Sequence, residues 1–192
     1  MIYHKKPKAQ FNKKKNLGRV HVYTGEGKGK TTAALGLTMR ALGHGYNVLI
    51  LQFLKGHKEA GEIKLHQALA EKLAAQFTLL QFARPEPVDL ANPSAMDIYL
   101  VQQGLDYARR AMAEARPDLL VLDEINPAMH YGLIPSRVVL DFLDNKHAET
   151  EVVLTGRYAP KEILDFADLV SVIQTPKHYY QRQFPVRYGI EI

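Results

Sequence analysis

Residues 24–32, with the sequence TGEGKGKTT, have the composition and spacing of a phosphate-binding loop. Three glycines let the backbone curl so that several N–H groups converge on phosphate oxygens. Lys30 would contact the outer phosphates, and Thr31 would offer its hydroxyl to Mg²⁺. The pattern therefore indicates a site for a nucleoside triphosphate. A glycine-rich turn with a basic edge is the alternative interpretation.

The loop departs from the strict P-loop pattern at one position, because the first glycine of that pattern would fall on Thr24. Gly25 and Gly27 supply the backbone freedom instead. A short apolar run precedes the loop, and an alanine- and leucine-rich segment follows it. This context predicts a strand, the loop and then a helix, whose positive dipole end would attract phosphate.

A second group of candidate residues ends the apolar run LLVLDE at residues 119–124. Ligands of open α/β sheets bind at the carboxyl ends of the strands, which is where Asp123 and Glu124 would emerge. Asp123 is predicted to hold Mg²⁺ directly or through water. Glu124 would contact the metal, the ribose or a reacting group. A strand that ends in two solvated acids is the alternative.

Three further turns follow predicted strands and would lie at the same rim. Gln52 and Lys55 come after the second strand, and Lys177 and His178 after the sixth. Arg157 comes after a Thr-Gly turn that follows the fifth strand, and it could reach a phosphate or a substrate carboxylate. A structural turn with a surface arginine fits the same residues equally well.

The composition excludes several kinds of site. The chain has no cysteine, which excludes disulfides, thiolate metal sites and a cysteine nucleophile. Neither a zinc-binding histidine cluster nor a nucleophile elbow is present. No apolar run approaches the length of a membrane span, and the N-terminus lacks the apolar segment of a secretory signal. We therefore expect a cytoplasmic protein without a membrane partner.

Positive charge is concentrated at the N-terminus. The first fifteen residues contain six lysines and no acid, whereas the whole chain has a net charge of +5. The remainder is close to neutral, so nucleic acid is disfavoured as a partner. We interpret residues 1–18 as a basic arm and residues 19–192 as one nucleotide-binding catalytic domain. Alternatively the arm folds over its own or a neighbouring subunit's site, with Tyr3 and Phe11 as anchors.

Strand-like and helix-like segments alternate, which predicts an α/β fold with helices on both faces of a mostly parallel sheet of about six strands. Leu65, Leu69 and Leu73 predict one buried stripe on the second helix. Ser94 and Asp97 predict a capping box that begins the third helix. Proline at positions 135 and 160 would occupy the first turn of two later helices. The predicted strands are residues 20–24, 47–53, 77–82, 118–123, 151–155 and 169–173.

Four blocks of sequence together resemble the P-loop corrinoid adenosyltransferases, the ATP:cob(I)alamin adenosyltransferases of cobalamin biosynthesis and salvage. They cover most of residues 19–192 in order, and threonine at position 24 is normal for that family. The first block is residues 22–56, which ends in QFLKG. The other three are DLLVLDEINPAMHYGLI at 118–134, LTGRYAPKEILDFADLVS at 154–171, and a C-terminal KH followed by GIE.

The resemblance implies a RecA-like P-loop NTPase fold, usually in a homodimer, with a basic arm that covers the partner subunit's site. It also implies transfer of the 5′-deoxyadenosyl group of ATP to the reduced cobalt of a corrinoid, with triphosphate as the leaving group. Reduced cobalt is itself a strong nucleophile, so the protein needs only to position C5′ and stabilise charge on triphosphate. The nucleotide is implied to bind in reverse relative to ordinary P-loop NTPases. A flavin-dependent cobalt reductase is an implied partner.

The family motifs assign roles to residues by position. Lys30, Thr31 and Glu124 are implied to be catalytic, and Thr31, Asp123 and Glu124 to lie at Mg²⁺. The nucleotide-binding candidates are Thr24, Gly25, Glu26, Gly27, Lys28, Gly29, Lys30, Thr31, Thr32, Arg40 and Arg157.

The chain departs from the family pattern between the third strand and the following helix. The family usually has an aromatic motif there that helps to displace the lower ligand of cobalt. Here residues 82–97 read FARPEPVDLANPSAMD, and the chain has no tryptophan. The candidates for apolar contact with the corrin are Phe82, Tyr179, Tyr180 and Phe184.

Two functions from other classes stay open. One is a P-loop phosphotransferase or ATPase that acts on another substrate. The other is a non-catalytic regulator that binds ATP or a corrinoid.

Overall fold

The computed structural model describes residues 16–74, 76–179 and 184–191. Within these residues six strands form one sheet in the order β3-β2-β4-β5-β1-β6, and each pair of neighbours is parallel. The strands are β1 (Val20–Thr24), β2 (Val48–Phe53), β3 (Phe77–Phe82), β4 (Leu119–Asp123), β5 (Glu151–Thr155) and β6 (Leu169–Val172). The helices are α1 (Lys30–Gly43), α2 (Gly61–Leu73), α3 (Ala95–Glu114), α4 (Ile125–His130), α5 (Ser136–Asp144) and α6 (Lys161–Phe166).

Successive residues of the interior strands face two different apolar layers. Leu51 of β2 and Leu122 of β4 pack in the layer formed with α3 to α6. Ile50 and Val121, their neighbours in sequence, pack in the layer formed with α1. Because both faces of these strands are covered, nearly every position must be apolar, as expected for a parallel sheet between helices. The prediction of helices on both faces is confirmed.

The capping box predicted at the start of α3 is confirmed. Ser94 accepts a hydrogen bond from the Asp97 backbone N–H, and the Asp97 carboxylate accepts one from the Ser94 backbone N–H. The guanidinium of Arg84 also donates to both Asp97 oxygens, at 2.9 and 3.1 Å. These hydrogen bonds from Arg84 lower the pKa of Asp97 to about 2. The proline-rich loop between β3 and α3 is therefore tied to the helix start.

The predicted buried stripe on α2 was wrong. No residue of α2 is fully buried, and Leu65 is 50% exposed. The helix packs mainly on the edge strand β3. Its leucines border an open groove between α2 and α1. Leu35 and Met39 of α1 and Leu69 of α2 line the same cavity.

Helix starts and one helix also differ from the sequence-based expectation. Pro135 and Pro160 are N-cap residues with extended ψ angles of 135° and 146°, one position before the first helical residue. Helix α4 was not predicted, since Asn126 and Pro127 interrupt any helical pattern in so short a segment. No described helix is both long and apolar enough to span a lipid bilayer. Most of the predicted basic arm, including Tyr3 and Phe11, lies outside the described residues.

Candidate nucleotide site

The phosphate loop curls around the ammonium group of Lys30. Gly25 and Gly29 have φ angles of 98° and 123°, a conformation that other residues rarely adopt. Lys30 Nζ donates to the carbonyl oxygens of Gly25 and Gly27 at 2.8 and 2.7 Å. The lysine is only 7% exposed, and burial lowers its pKa. Its ammonium is thus held at the mouth of the loop, beside the N-terminus of α1.

A segment that follows β6 lies directly against the loop. The backbone N–H of Ile173 donates to Thr24 O, and the N–H of Gly27 donates to Ile173 O, both at 2.8 Å. The N–H of Lys28 donates to Thr175 Oγ1 at 3.0 Å. A Cβ atom on Gly27 would come within 2.7 Å of the Gln174 carbonyl carbon. Glycine at position 27 is therefore required by this close backbone contact.

Asp123 connects four elements at the carboxyl edge of the sheet. Its Oδ1 accepts hydrogen bonds from Thr31 Oγ1 at 2.9 Å and Thr155 Oγ1 at 2.6 Å. Its Oδ2 accepts from Lys55 Nζ at 2.9 Å and Gln52 Nε2 at 3.2 Å. The two oxygens together offer about four acceptor positions, and four donors are present. The buried carboxylate is thus fully satisfied by protein groups.

The charge of Asp123 is stabilised despite its burial. Asp123 is 1% exposed, and burial alone would raise the pKa of its carboxyl group. The charge of Lys55 and the hydrogen bonds from Thr155, Lys55 and Thr31 outweigh that effect and lower the pKa. Burial alone would lower the pKa of Lys55, but the negative charges of Asp123 and Glu124 outweigh that effect and raise it. The two groups therefore form an ion pair that persists across the neutral range.

Glu124 has a backbone conformation that points to a positioned side chain. Its φ and ψ angles are 64° and 27°, in the left-handed region that costs a non-glycine residue free energy. Its N–H donates to Thr155 Oγ1 at 3.0 Å, which fixes this turn. Its carboxylate is partly exposed and lies 3.6 Å from Lys55 Nζ. Of the two acids that end β4, Asp123 is the buried one and Glu124 is open to a ligand.

Two cavities flank the phosphate loop. The larger, of about 1080 Å³, is lined by polar groups of the loop and by Lys55, Glu124 and Arg157, and it continues into the groove between α1 and α2. The smaller, of about 480 Å³, is lined by Lys28 and Thr32 and by the segment from Thr175 to Tyr179. The larger cavity is large enough for a nucleotide and combines polar loop groups with an apolar wall.

The structure brings most of the predicted nucleotide-binding residues together. Gly27 to Thr32, Glu124 and Arg157 line the larger cavity. Glu26 pairs with Arg157, with Glu26 Oε2 and Arg157 Nη1 3.4 Å apart. Thr24 and Gly25 end β1 and begin the loop. Arg40 does not line the cavity, although Met39 and Leu42 of the same last turn of α1 do, so its side chain lies on another face of the helix.

Three of the four candidates for corrin contact are described, and no ring contact joins Phe82, Tyr179 and Phe184 to one another. The ring of Phe82 stacks on Phe53 at 6.4 Å between centroids, so it packs between β3 and α3. Tyr179 lines the smaller cavity and donates a hydrogen bond to Glu191. Phe184 is 56% exposed. Tyr180 lies outside the described residues.

Sequence reasoning did not find the contacts that hold Asp123. Gln52 and Lys55 were expected at the rim, but their convergence on Asp123 depends on β2 being the neighbour of β4. Thr155 reaches Asp123 because β5 is the other neighbour of β4. The only sequence signal was that each of these residues is polar and ends an apolar run.

Comparison with known proteins places the chain in a family. The family model described as ATP:corrinoid adenosyltransferase BtuR/CobO/CobP matches residues 16–192. A corrinoid adenosyltransferase of Salmonella typhimurium is 34% identical over 91% of this chain and 85% of that protein. One of Sinorhizobium is 33% identical over 91% and 80%. An uncharacterized protein of Nostoc is 36% identical over 96% of this chain, which spans half the length of that protein.

A solved structure supports the fold. A KaiC-like protein of Pyrococcus horikoshii superposes with a TM-score of 0.51 and 18% sequence identity, covering 84% of this chain and 75% of that one. The prediction of an α/β, RecA-like P-loop fold is confirmed by this likeness and by the parallel sheet. From the family model and from relatives above 30% identity, this chain belongs to the ATP:corrinoid adenosyltransferase family of enzymes.

Proposed function

We propose that the protein transfers the 5′-deoxyadenosyl group of Mg-ATP to the reduced cobalt of a corrinoid and releases triphosphate. The observation that carries this proposal is the shared cavity of the phosphate loop and the acidic end of β4, in a chain of this family. An electron pair of Co(I) would form the bond to C5′. The C5′–O bond would break, and triphosphate would leave with the electron pair of that bond.

The residues of the loop would act on the leaving group. Negative charge grows on triphosphate as the C5′–O bond breaks, and donors already aimed at that position stabilise the charge. Lys30 and the N–H groups at the start of α1 are such donors, because the first N–H groups of a helix lack intrahelical acceptors. Arg157, at the wall of the same cavity, would add a further positive charge.

The donor set at the loop fits Mg²⁺. Thr31 and Glu124 offer hard oxygen ligands, and Asp123 would orient Thr31 through their hydrogen bond. The described residues contain no group of three or more His, Cys, Asp or Glu able to hold a metal. Mg²⁺ in nucleotide enzymes needs only one or two carboxylates, since phosphates and waters complete its shell. When bound, the ion would neutralise charge on the triphosphate.

The test is an analysis of products from Mg-ATP and chemically reduced corrinoid. Adenosylated corrinoid with equimolar triphosphate is the expected result. ADP and orthophosphate without a cobalt–carbon product would instead identify a phosphotransferase or ATPase. Binding without any product would identify a regulator.

Lys30→Ala tests the phosphate loop in the same assay. The variant should lose ATP binding and turnover, because it loses the buried ammonium at the loop mouth. Lys64→Ala is the matched control, since Lys64 is exposed on α2 and pairs with the surface residue Glu59. Retained ATP binding in the Lys30 variant would show that the loop has been misread.

A homodimer, a flavin-dependent cobalt reductase and a cytoplasmic location remain part of the proposal. The open edge of β6 supports self-association, because Leu169, Val170 and Val172 are 42%, 42% and 60% exposed. The basic arm would then cover the partner subunit's site. Light scattering of the full chain tests the homodimer, and a mass of one chain at micromolar concentration would reject it.

A further inference from the structure

Lys55 lies among the same residues that are proposed to hold Mg²⁺. Its Nζ donates to Thr31 Oγ1 at 2.7 Å and to Asp123 Oδ2 at 2.9 Å. Glu124 Oε1 is 3.6 Å away. One ammonium group is therefore in contact with both the proposed threonine ligand and the carboxylate that orients it.

The chain holds Lys55 there by a local turn and leaves it room to move. Leu54, which comes directly after β2, has a φ angle of 60°. This left-handed residue ends the strand and turns Lys55 toward the end of the neighbouring strand β4. The side chain of Lys55 is 30% exposed and lines the larger cavity, whereas that of Asp123 is 1% exposed. The lysine thus has open space beside it in the cavity, whereas Asp123 does not line that cavity.

A divalent cation and Lys55 would compete for the same oxygen atoms. The hydroxyl hydrogen of Thr31 is donated to Asp123, so its lone pairs must serve any cation. One lone pair accepts from Lys55. Mg²⁺ would bind this oxygen at about 2.0–2.1 Å, which would place two positive charges within a few ångströms of each other. Their repulsion favours occupation by one cation at a time.

We propose that Lys55 is an exchangeable cation of this site. Its ammonium neutralises Asp123 and Glu124, leaves Thr31 when Mg-ATP binds, and then pairs with oxygens of the triphosphate in the same cavity. The lysine thereby opposes binding of the metal alone and favours the metal–nucleotide pair. This inference rests on the proposed metal position but not on the corrinoid chemistry.

The test measures metal binding without nucleotide. The full-length protein and Lys55→Met are titrated with MgCl₂ alone by calorimetry, and their melting temperatures are recorded in EDTA and in Mg²⁺. The variant should bind Mg²⁺ at least about tenfold more tightly, because removal of the positive charge leaves Asp123 and Glu124 uncompensated. It should also melt lower than the parent in EDTA and regain stability in Mg²⁺. Lys64→Met, which loses an exposed ion pair, should behave as the parent does.

Two further measurements keep the proposal falsifiable. Lys55→Gln keeps a hydrogen-bond donor but not the charge, so it replaces the methionine variant if that one does not fold in EDTA. Either variant should bind Mg-ATP more weakly than the parent while it binds Mg²⁺ alone more tightly. Equal affinity for Mg²⁺ in parent and variant would overturn the proposal that Lys55 and Mg²⁺ replace each other at this site. That outcome is separate from failure of the proposed function, which would appear as missing adenosylated product.

Discussion

Thr155→Val is the substitution that best tests how the acidic end of β4 is held. Thr155 is fully buried, and its hydroxyl has two partners. It donates to Asp123 Oδ1 at 2.6 Å and accepts from the Glu124 N–H at 3.0 Å. Valine keeps the shape of threonine but offers neither interaction, so the exchange removes hydrogen bonds without leaving a cavity.

The expected loss of stability follows from these two contacts. A buried N–H without an acceptor costs about 1–3 kcal/mol, and the lost hydrogen bond to a charged carboxylate about 1.5–3 kcal/mol. The added methyl group of valine offsets about 0.8 kcal/mol. The free energy of unfolding should therefore fall by about 2–5 kcal/mol, which for a chain of this length lowers Tm by roughly 4–20 °C.

Thr155→Ser is the matched control, since it keeps the hydroxyl and loses only one buried methyl group, about 1 kcal/mol. Urea unfolding in a buffer without Mg²⁺ and nucleotide gives the free energy of unfolding of both variants, provided that its linear dependence on urea concentration has the same slope in each. The valine variant should be clearly the less stable of the two. If valine is as stable as serine at this position, the hydroxyl does not hold Asp123 and Glu124 in the way described.

Three other perturbations have defined outcomes. Gly27→Ala should weaken ATP binding at least about tenfold in a titration, since its Cβ would meet the Gln174 backbone. Gly36→Ala, with open space around it, is the control: it should leave ATP binding unchanged and stabilise α1 by about 0.5–1 kcal/mol in thermal melts. Stability should decline as pH falls from 5 toward 2, because the pKa of Asp97 is about 2 when folded and 3.8 ordinarily, so its contribution is full above about pH 5 and is lost as pH falls toward 2. Asp97→Asn should flatten that decline in acid titrations of unfolding, and an unchanged slope would count against the capping-box ion pair. Glu124→Gln should lower the rate of the Mg-ATP reaction at least about a hundredfold with little change in Tm, and a near-normal rate would remove Glu124 from the metal site.

The fold could be predicted largely because its signals are local. Each interior strand is a short apolar run, and each turn at the rim has glycine, proline or a charge next to that run. The capping box needs only Ser94 and Asp97, three residues apart, and the structure contains it. The phosphate loop was likewise recognised from its own residues and the two elements beside it, although its contacts with residues 173–175 were not.

The arrangement of the site could not be predicted in the same way, because it depends on the order of the strands. Lys55 and Thr155 meet at Asp123 because β2 and β5 are the two neighbours of β4, and no local pattern encodes that order. For the leucines of α2, in contrast, a local pattern predicted burial that the structure does not show. Their spacing is helical, but periodicity does not say whether an apolar face closes onto the sheet or borders an open groove.

The contact between the phosphate loop and the segment after β6 affects how the protein becomes functional. Lys28 and Thr175 are joined by a hydrogen bond although 147 residues separate them in the chain. Closing so long a loop is slow and is rewarded only when the strands between are already in place. The loop beside β1 therefore reaches its final shape only after β6 has joined the sheet. Recovery of ATP binding during refolding should accordingly follow the last kinetic phase, which makes the nucleotide a reporter of completed folding.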